Sequence, residues 1–170
     1  MTKKSLQSVW DHFRQIHGVT VRAIERIPDD KLDARPIPNM RSVKELVDHI
    51  YVYVRGVPPA ILKGELVRED CPTHVDELKT TRDLVAYATE SFRIADKAIA
   101  QMTDAQIGET IPTFFGKDFQ GGALIRVVLD EHLHHRGQLY AFLRAIGVEP
   151  PFLWSFDENA PEYQPRAMMI

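Results

Sequence analysis

Apolar residues recur at helical spacing along four stretches of this chain, and prolines or glycines interrupt the pattern between them. From Leu6 to Ile27 the positions Leu6, Val9, Trp10, Phe13, Ile16, Val19, Ile24 and Ile27 form one stripe, which Pro28, Asp29 and Asp30 end. A second helix is predicted to open at Ser42, where Ser42 and Glu45 match a capping box, and to end near Val57, because Pro58 and Pro59 lack the N–H a helix interior needs. A short helical turn over Ala60 to Lys63 follows. Thr80 with Asp83 three residues on starts a third helix, Thr81 to Met102. Thr103 to Gln120 reads as loop, with Pro112, Gly116 and the pair Phe114 and Phe115. The fourth helix runs from Gly121 and Gly122 to Ile146, with Gly147 as its C-terminal cap. The tail from Glu149 to Ile170 carries prolines and the aromatics Phe152, Trp154, Phe156 and Tyr163, and is expected to lie extended over the helices. Four helices with little strand signal make an all-α chain, an antiparallel four-helix bundle forming a single domain over residues 1–170.

A chain of 170 residues can bury a core large enough to fold without disulfide or metal, so a bound metal would be there for function. The formal charge of -3, with Lys and Arg scattered, excludes the concentrated basic face that nucleic acid requires. No apolar run approaches a membrane span, and the N-terminus lacks the apolar core of a signal peptide, so no membrane association is expected. The single cysteine, Cys71, can form no internal disulfide and has no base beside it in the sequence, which suits a reducing, cytoplasmic setting.

The chemistry concentrates in Asp130 to Leu139, where three of the seven histidines fall within four residues. On a wheel of about 100° per residue with Leu124 at zero, Glu131 lies near -20° and His135 near 20°, mid-stripe among Leu124, Val128 and Phe142. His132 and His134 fall at the two borders. A carboxylate and an imidazole at core positions need partners, and an i, i+4 pair aims both at one point, as two ligands of a metal ion would. A third ligand is expected from a facing helix. His49, beside the apolar stripe of Leu46, Ile50, Tyr53 and Val57, is the best placed.

The competing readings are an ion pair of Glu131 with Arg136 or Arg144, and a hydrogen-bonded core role for His49. His12, His17 and His74 are read as surface or packing residues. Glu131-His132-Leu133-His134-His135 lacks the order of a zinc-protease motif, Gly121-Gly122 lacks the Lys-Ser/Thr of a phosphate loop, and there is no Gly-x-Ser-x-Gly elbow.

His49 after Arg41-Ser42-Val43-Lys44-Glu45-Leu46, and the run His134-His135-Arg136-Gly137-Gln138-Leu139 followed by Tyr140, Leu143, Arg144 and Gly147, resemble the DinB-like family over nearly the whole chain. The resemblance implies an up-down-down-up bundle, often dimeric, with a metal held by one histidine of helix two and two of helix four. Carried over, the positions are His49, Glu131 and His135. The family usually has histidine where Glu131 stands, so the site is either two histidines and a carboxylate, or one in which His132 substitutes as a ligand, or a weakened one. A carboxylate hardens the site and leaves Zn, Ni, Fe, Mn and Co all acceptable as the divalent ion.

The family further implies an enzyme that uses low-molecular-weight thiols. The leading expectation is a thiol S-transferase in which the metal lowers the pKa of the thiol for attack on a small-molecule electrophile. Metal-dependent hydrolysis, or a noncatalytic, stress-associated bundle that binds metal or ligand, are the alternatives. Arg136 is a possible contact for an anionic group. A second apolar strip on helix four, Ile125, Leu129, Leu133, Tyr140 and Leu143, means either that this helix is covered on two sides or that the chain forms a homodimer.

Overall fold

The computed structural model describes residues 1–165. Its helices are α1 (Lys3–Ile24), α2 (Val43–Lys63), α3 (Thr81–Gln101), the short α4 (Asp104–Gly108) and α5 (Gly121–Ala145). Capping boxes of Thr2 with Ser5, Ser42 with Glu45, Thr80 with Asp83 and Thr103 with Gln106 open the first four. Each satisfies backbone donors that the first turn leaves free, a contribution of about 1 kcal/mol.

Contacts between helix ends fix their directions. Trp10 Nε1 donates to Asp96 at 3.1 Å, while Thr81 Oγ1 at the other end of α3 donates to the Ile27 carbonyl, so α1 and α3 are antiparallel. The His49 and His135 rings meet at 4.4 Å and Ile61 packs by Gly121, so α2 and α5 are antiparallel. Met1 lies by Gly122 and Arg26 donates to the Glu149 carbonyl, which makes α1 and α5 parallel. The bundle is therefore up-down-down-up. Trp10, Phe13 and Phe92 stack in its centre at 5.0 to 5.9 Å, and truncating a buried aromatic of this kind costs about 3 kcal/mol or more.

α2 does not stop at its prolines. It continues through Pro58 and Pro59 to Lys63 and ends on Gly64 at φ 93. Two missing N–H groups remove two helical hydrogen bonds, but Val57, Pro58, Ala60 and Ile61 are all buried, and their packing holds the last turn. The stretch expected as plain loop contains α4 and a two-stranded antiparallel hairpin, β1 (Thr110–Ile111) with β2 (Phe119–Gln120).

α5 is covered by α2 on one side and α1 on the other. Ile125, Tyr140 and Leu143 of the second apolar strip are thereby buried within the chain, Leu129 is half-buried, and Leu133 stays 40% exposed. The tail folds back on α1: Asn159 Nδ2 donates to the Gln15 carbonyl, and the approach is so close that a Cβ at Gly18 would collide with Asn159 and Tyr163. Tyr163 is buried, but Phe152 and Trp154 are 70% and 64% exposed, so only part of the tail's aromatic surface packs. Residues 166–170 of the predicted tail lie outside the described residues. Among the described residues no helix is long and apolar enough to cross a membrane.

Candidate metal centre

His49 comes from the middle of α2, and Glu131 and His135 from successive turns of α5, so the antiparallel packing of these two helices brings them together. One ligand atom from each lies within 4.8 Å of the others. Ligands about 2.1 Å from an ion sit roughly 3 to 4 Å apart, so small side-chain rotations would close this set around one.

The hydrogen bonds show what the set lacks. Gln138 donates from Nε2 to His134 Nε2 at 3.0 Å and presents Oε1 to His135 Nδ1 at 2.9 Å. His135 therefore carries a proton on Nδ1 and, when neutral, a lone pair on Nε2. That Nε2 faces Glu131 Oε2 at 3.1 Å. Two acceptors at this distance need either a proton, on the ring or on the carboxyl, which makes them an ordinary hydrogen-bonded pair, or a metal ion that takes both as ligands. An imidazole anchored through its other nitrogen is also the usual second-sphere arrangement of a ligating histidine. His49 is held down to about 4, first by burial, then by the charges of Arg41 and His135, so it is neutral and able to ligate near pH 7. The residues present fit a divalent ion with two nitrogen ligands and one oxygen.

Burial corrects one premise. His135 is 8% exposed as the helical wheel anticipates, but the Glu131 side chain is 46% exposed and stands at the rim. The case for a metal ion thus rests on the convergence of three ligand atoms rather than on the cost of a buried carboxylate. Glu131 pairs with His135, whereas Arg144 pairs with Glu149. Arg136 is half-buried and its charge is felt at Tyr51, Tyr140 and His132, so it faces away from the three ligands.

His132, the possible substitute ligand, is fully buried on the α1 side of α5. Thr20 Oγ1 donates to the Ile16 carbonyl at 2.9 Å, so His132 Nε2 at 3.1 Å donates to Thr20, and the ring packs edge-on against Phe13. It is not brought together with His49 and Glu131. His17 is a core residue, stacked on Phe92 and joined through Nδ1 to the Tyr51 hydroxyl at 2.8 Å. His12 is exposed and His74 half-buried, with Nδ1 3.4 Å from Glu77.

A cavity of about 290 Å³ opens beside the triad, lined by His49 and Glu131 and, beyond them, by Tyr53, Val57, Leu124, Phe115 and Phe119. The hairpin supplies its two phenylalanines. Leu66 N donates to the Pro112 carbonyl and Phe114 N to the Leu66 carbonyl, which ties the hairpin to the end of α2 and places Phe115 5.9 Å from Tyr53. Tyr53, Phe115, Phe119 and Gln138 escaped the sequence reading as site residues. Gln138 had a signal, since it falls on the same wheel face as Glu131 and His135.

The comparisons agree with this architecture. A protein of Bacillus subtilis (strain 168), YjoA, is 27% identical over 144 residues, covering 83% of this chain and 91% of that protein. The crystal structure of the same DinB-like YjoA superposes with a TM-score of 0.69 at 26% identity, over 88% of this chain and 96% of that one. A DinB-like protein from Bacillus cereus ATCC 10987 gives a TM-score of 0.69 at 17% identity, covering 88% and 95%, which shows the shared fold. The model of the DinB family matches residues 1–166, and the chain belongs to the DinB family.

Proposed function

We propose that this protein is a metal-dependent enzyme that transfers a low-molecular-weight thiol to an electrophilic small molecule. The observation that carries the reading is the convergence of His49, Glu131 and His135, one ligand atom from each within 4.8 Å of the others, beside an apolar cavity. A divalent ion held by these residues would lower the pKa of a bound thiol. Three protein ligands leave room for a small molecule to bind as well, the pattern of catalytic rather than structural sites.

The chain's own residues do the rest. Gln138 fixes the His135 ring through Nδ1 and keeps Nε2 directed at the site. Tyr53, Phe115 and Phe119 line an apolar space that accepts the electrophile and excludes much of the water competing with the thiol. With a chlorinated acceptor, the thiolate sulfur forms the new C–S bond as the C–Cl bond breaks. Chloride leaves and the thiol proton passes to solvent at the half-exposed Glu131 rim.

The test is a screen of several thiols against chlorinated and epoxide acceptors with metal-loaded protein. Thiol-dependent turnover should disappear on chelation and return on reloading. Turnover that survives metal removal would refute the mechanism, and hydrolysis without thiol would point to activated water instead. A homodimer is proposed from the family resemblance alone, since α1 and α2 cover most of the second apolar strip of α5 within the chain. A monomeric mass by light scattering at micromolar concentration would overturn that part.

A further inference from the structure

The cavity beside the triad has walls from three places: Tyr53 and Val57 of α2, Leu124 and Val127 of α5, and Phe115 and Phe119 of the hairpin. Apart from the candidate ligands His49 and Glu131, Tyr53 is the one lining side chain with a polar group. None of the lining residues is basic, and Arg68 nearby lies over the Phe114 ring at 4.9 Å rather than in the wall. A carboxylate or phosphate placed among these side chains would lose its water with no cation to pair with. The body of a fitting guest is therefore uncharged.

Three of the wall side chains are aromatic. The Tyr53 ring meets Phe115 at 5.9 Å with planes at 63°, and His49 at 5.6 Å with planes at 79°. Rings set at steep angles offer both faces and edges to a flat guest, which favours an aromatic ring over a saturated one of the same size. An apolar cavity of ~150 Å³ holds a benzene, so about 290 Å³ accepts a substituted ring or two fused rings. Tyr53 adds a direction. Among the described residues its hydroxyl has no hydrogen-bond partner, and it stands one turn after His49 on the same side of α2. A phenol in an otherwise apolar wall is a donor for a neutral oxygen on the guest.

We propose that the electrophile is an uncharged aryl compound with a carbonyl or nitro oxygen conjugated to its reactive carbon, its ring against Phe115 and Phe119 and that oxygen accepting from Tyr53. This names the substrate class of the proposed reaction and rests on that reading for the statement that the bound compound reacts. The binding itself stands on the cavity and Tyr53. On an aryl chloride of this kind the thiolate sulfur bonds to the ring carbon as an electron pair moves onto the oxygen, where the Tyr53 hydroxyl stabilises it. The pair returns to the ring as chloride leaves, and the thiol proton passes to solvent.

The probes are acetophenone, cyclohexyl methyl ketone, toluene and 4-acetylbenzoate, titrated calorimetrically into metal-free and zinc-loaded full-length protein. Acetophenone should bind at least about fivefold more tightly than the saturated ketone in both preparations, and about tenfold more tightly than the acid in the metal-free protein. Tyr53→Phe should weaken acetophenone about fivefold, the worth of one hydrogen bond, and leave toluene unchanged. Phe115→Ala, at a position 42% exposed, should weaken acetophenone and toluene several-fold with folding kept. Saturated ketone or acid binding as tightly as acetophenone, acetophenone binding unchanged in Tyr53→Phe, or no acetophenone binding at millimolar concentration would overturn the inference. The expected binding pattern in a protein that shows no thiol transfer would remove the proposed reaction and leave this site standing. Thiol transfer to aliphatic acceptors alone would keep the reaction and overturn the aryl assignment.

Discussion

Gln138 is where the metal account can be pressed quantitatively without removing a ligand. Its Oε1 accepts from His135 Nδ1 at 2.9 Å and its Nε2 donates to His134 at 3.0 Å, so Gln138→Leu keeps the volume and deletes the anchor. Loss of an outer-sphere partner of this kind lowers metal affinity by about 10- to 100-fold, or about 1.4 to 2.7 kcal/mol. The fold should lose no more than about 2 kcal/mol, since the half-buried side chain gives up two hydrogen bonds worth about 1 kcal/mol each. Competition of the protein with a chromogenic chelator for Zn²⁺ reads the affinity, and urea unfolding of the metal-free protein reads the fold. Gln138→Glu, which keeps an acceptor at Nδ1, should recover wild-type affinity or exceed it. If Gln138→Leu binds zinc within about twofold of wild type while His135→Ala abolishes binding, the anchoring argument is wrong.

Other expectations follow from the packing. His17 is held well below its ordinary pKa, first by burial and then by the charges of His132 and Arg14. The unfolded chain, titrating near 6.5, therefore takes up a proton below that pH that the folded chain refuses. Stability should be full above about pH 6.5 and fall as pH drops below it, by up to about 1.4 kcal/mol per unit from this group. Urea unfolding at pH 7.5 and 5.5 should show a smaller pH effect in His17→Leu than in wild type, and equal effects would exclude His17 as a source. His132→Ala should cost about 2 to 4 kcal/mol by opening a void beside Phe13, while zinc affinity stays within about threefold. Loss of metal without loss of stability would mean that His132 ligates after all. Gly56→Ala should cost about 1 to 3 kcal/mol in thermal unfolding, because its Cβ would overlap the Asp70 carbonyl and Cys71 Sγ. An unchanged melting temperature would show that this loop yields freely.

The parts of the molecule legible in the sequence are those governed by short-range rules. Ser42 with Glu45 and Thr80 with Asp83 mark helix starts because the capping side chain reaches only three residues, and the structure forms both boxes. Thr103 with Gln106 is the same signal, but the helix it opens is five residues long and carries no periodic stripe to flag it. Pro58 and Pro59 read as a stop because the lost hydrogen bonds are local, whereas the burial that outweighs them comes from distant residues. At the candidate site, the i, i+4 spacing of Glu131 and His135 and the place of His49 beside the apolar stripe of α2 were visible on helical wheels. Phe115 and Phe119 were not, since long-range contacts such as that of Leu66 with the hairpin bring them to the cavity. The half-exposure of Glu131 was equally hidden, because the wheel gives a direction and not how far α2 covers it.

The metal content of the purified protein decides whether His49, Glu131 and His135 hold an ion. Protein produced without a histidine tag, loaded with a divalent metal and freed of excess, should hold about one ion per chain by elemental analysis, and His49→Ala and His135→Ala should each hold far less while remaining folded by circular dichroism. A wild-type protein that retains no metal, or a His49→Ala,His135→Ala double variant that retains as much as wild type, would contradict the account.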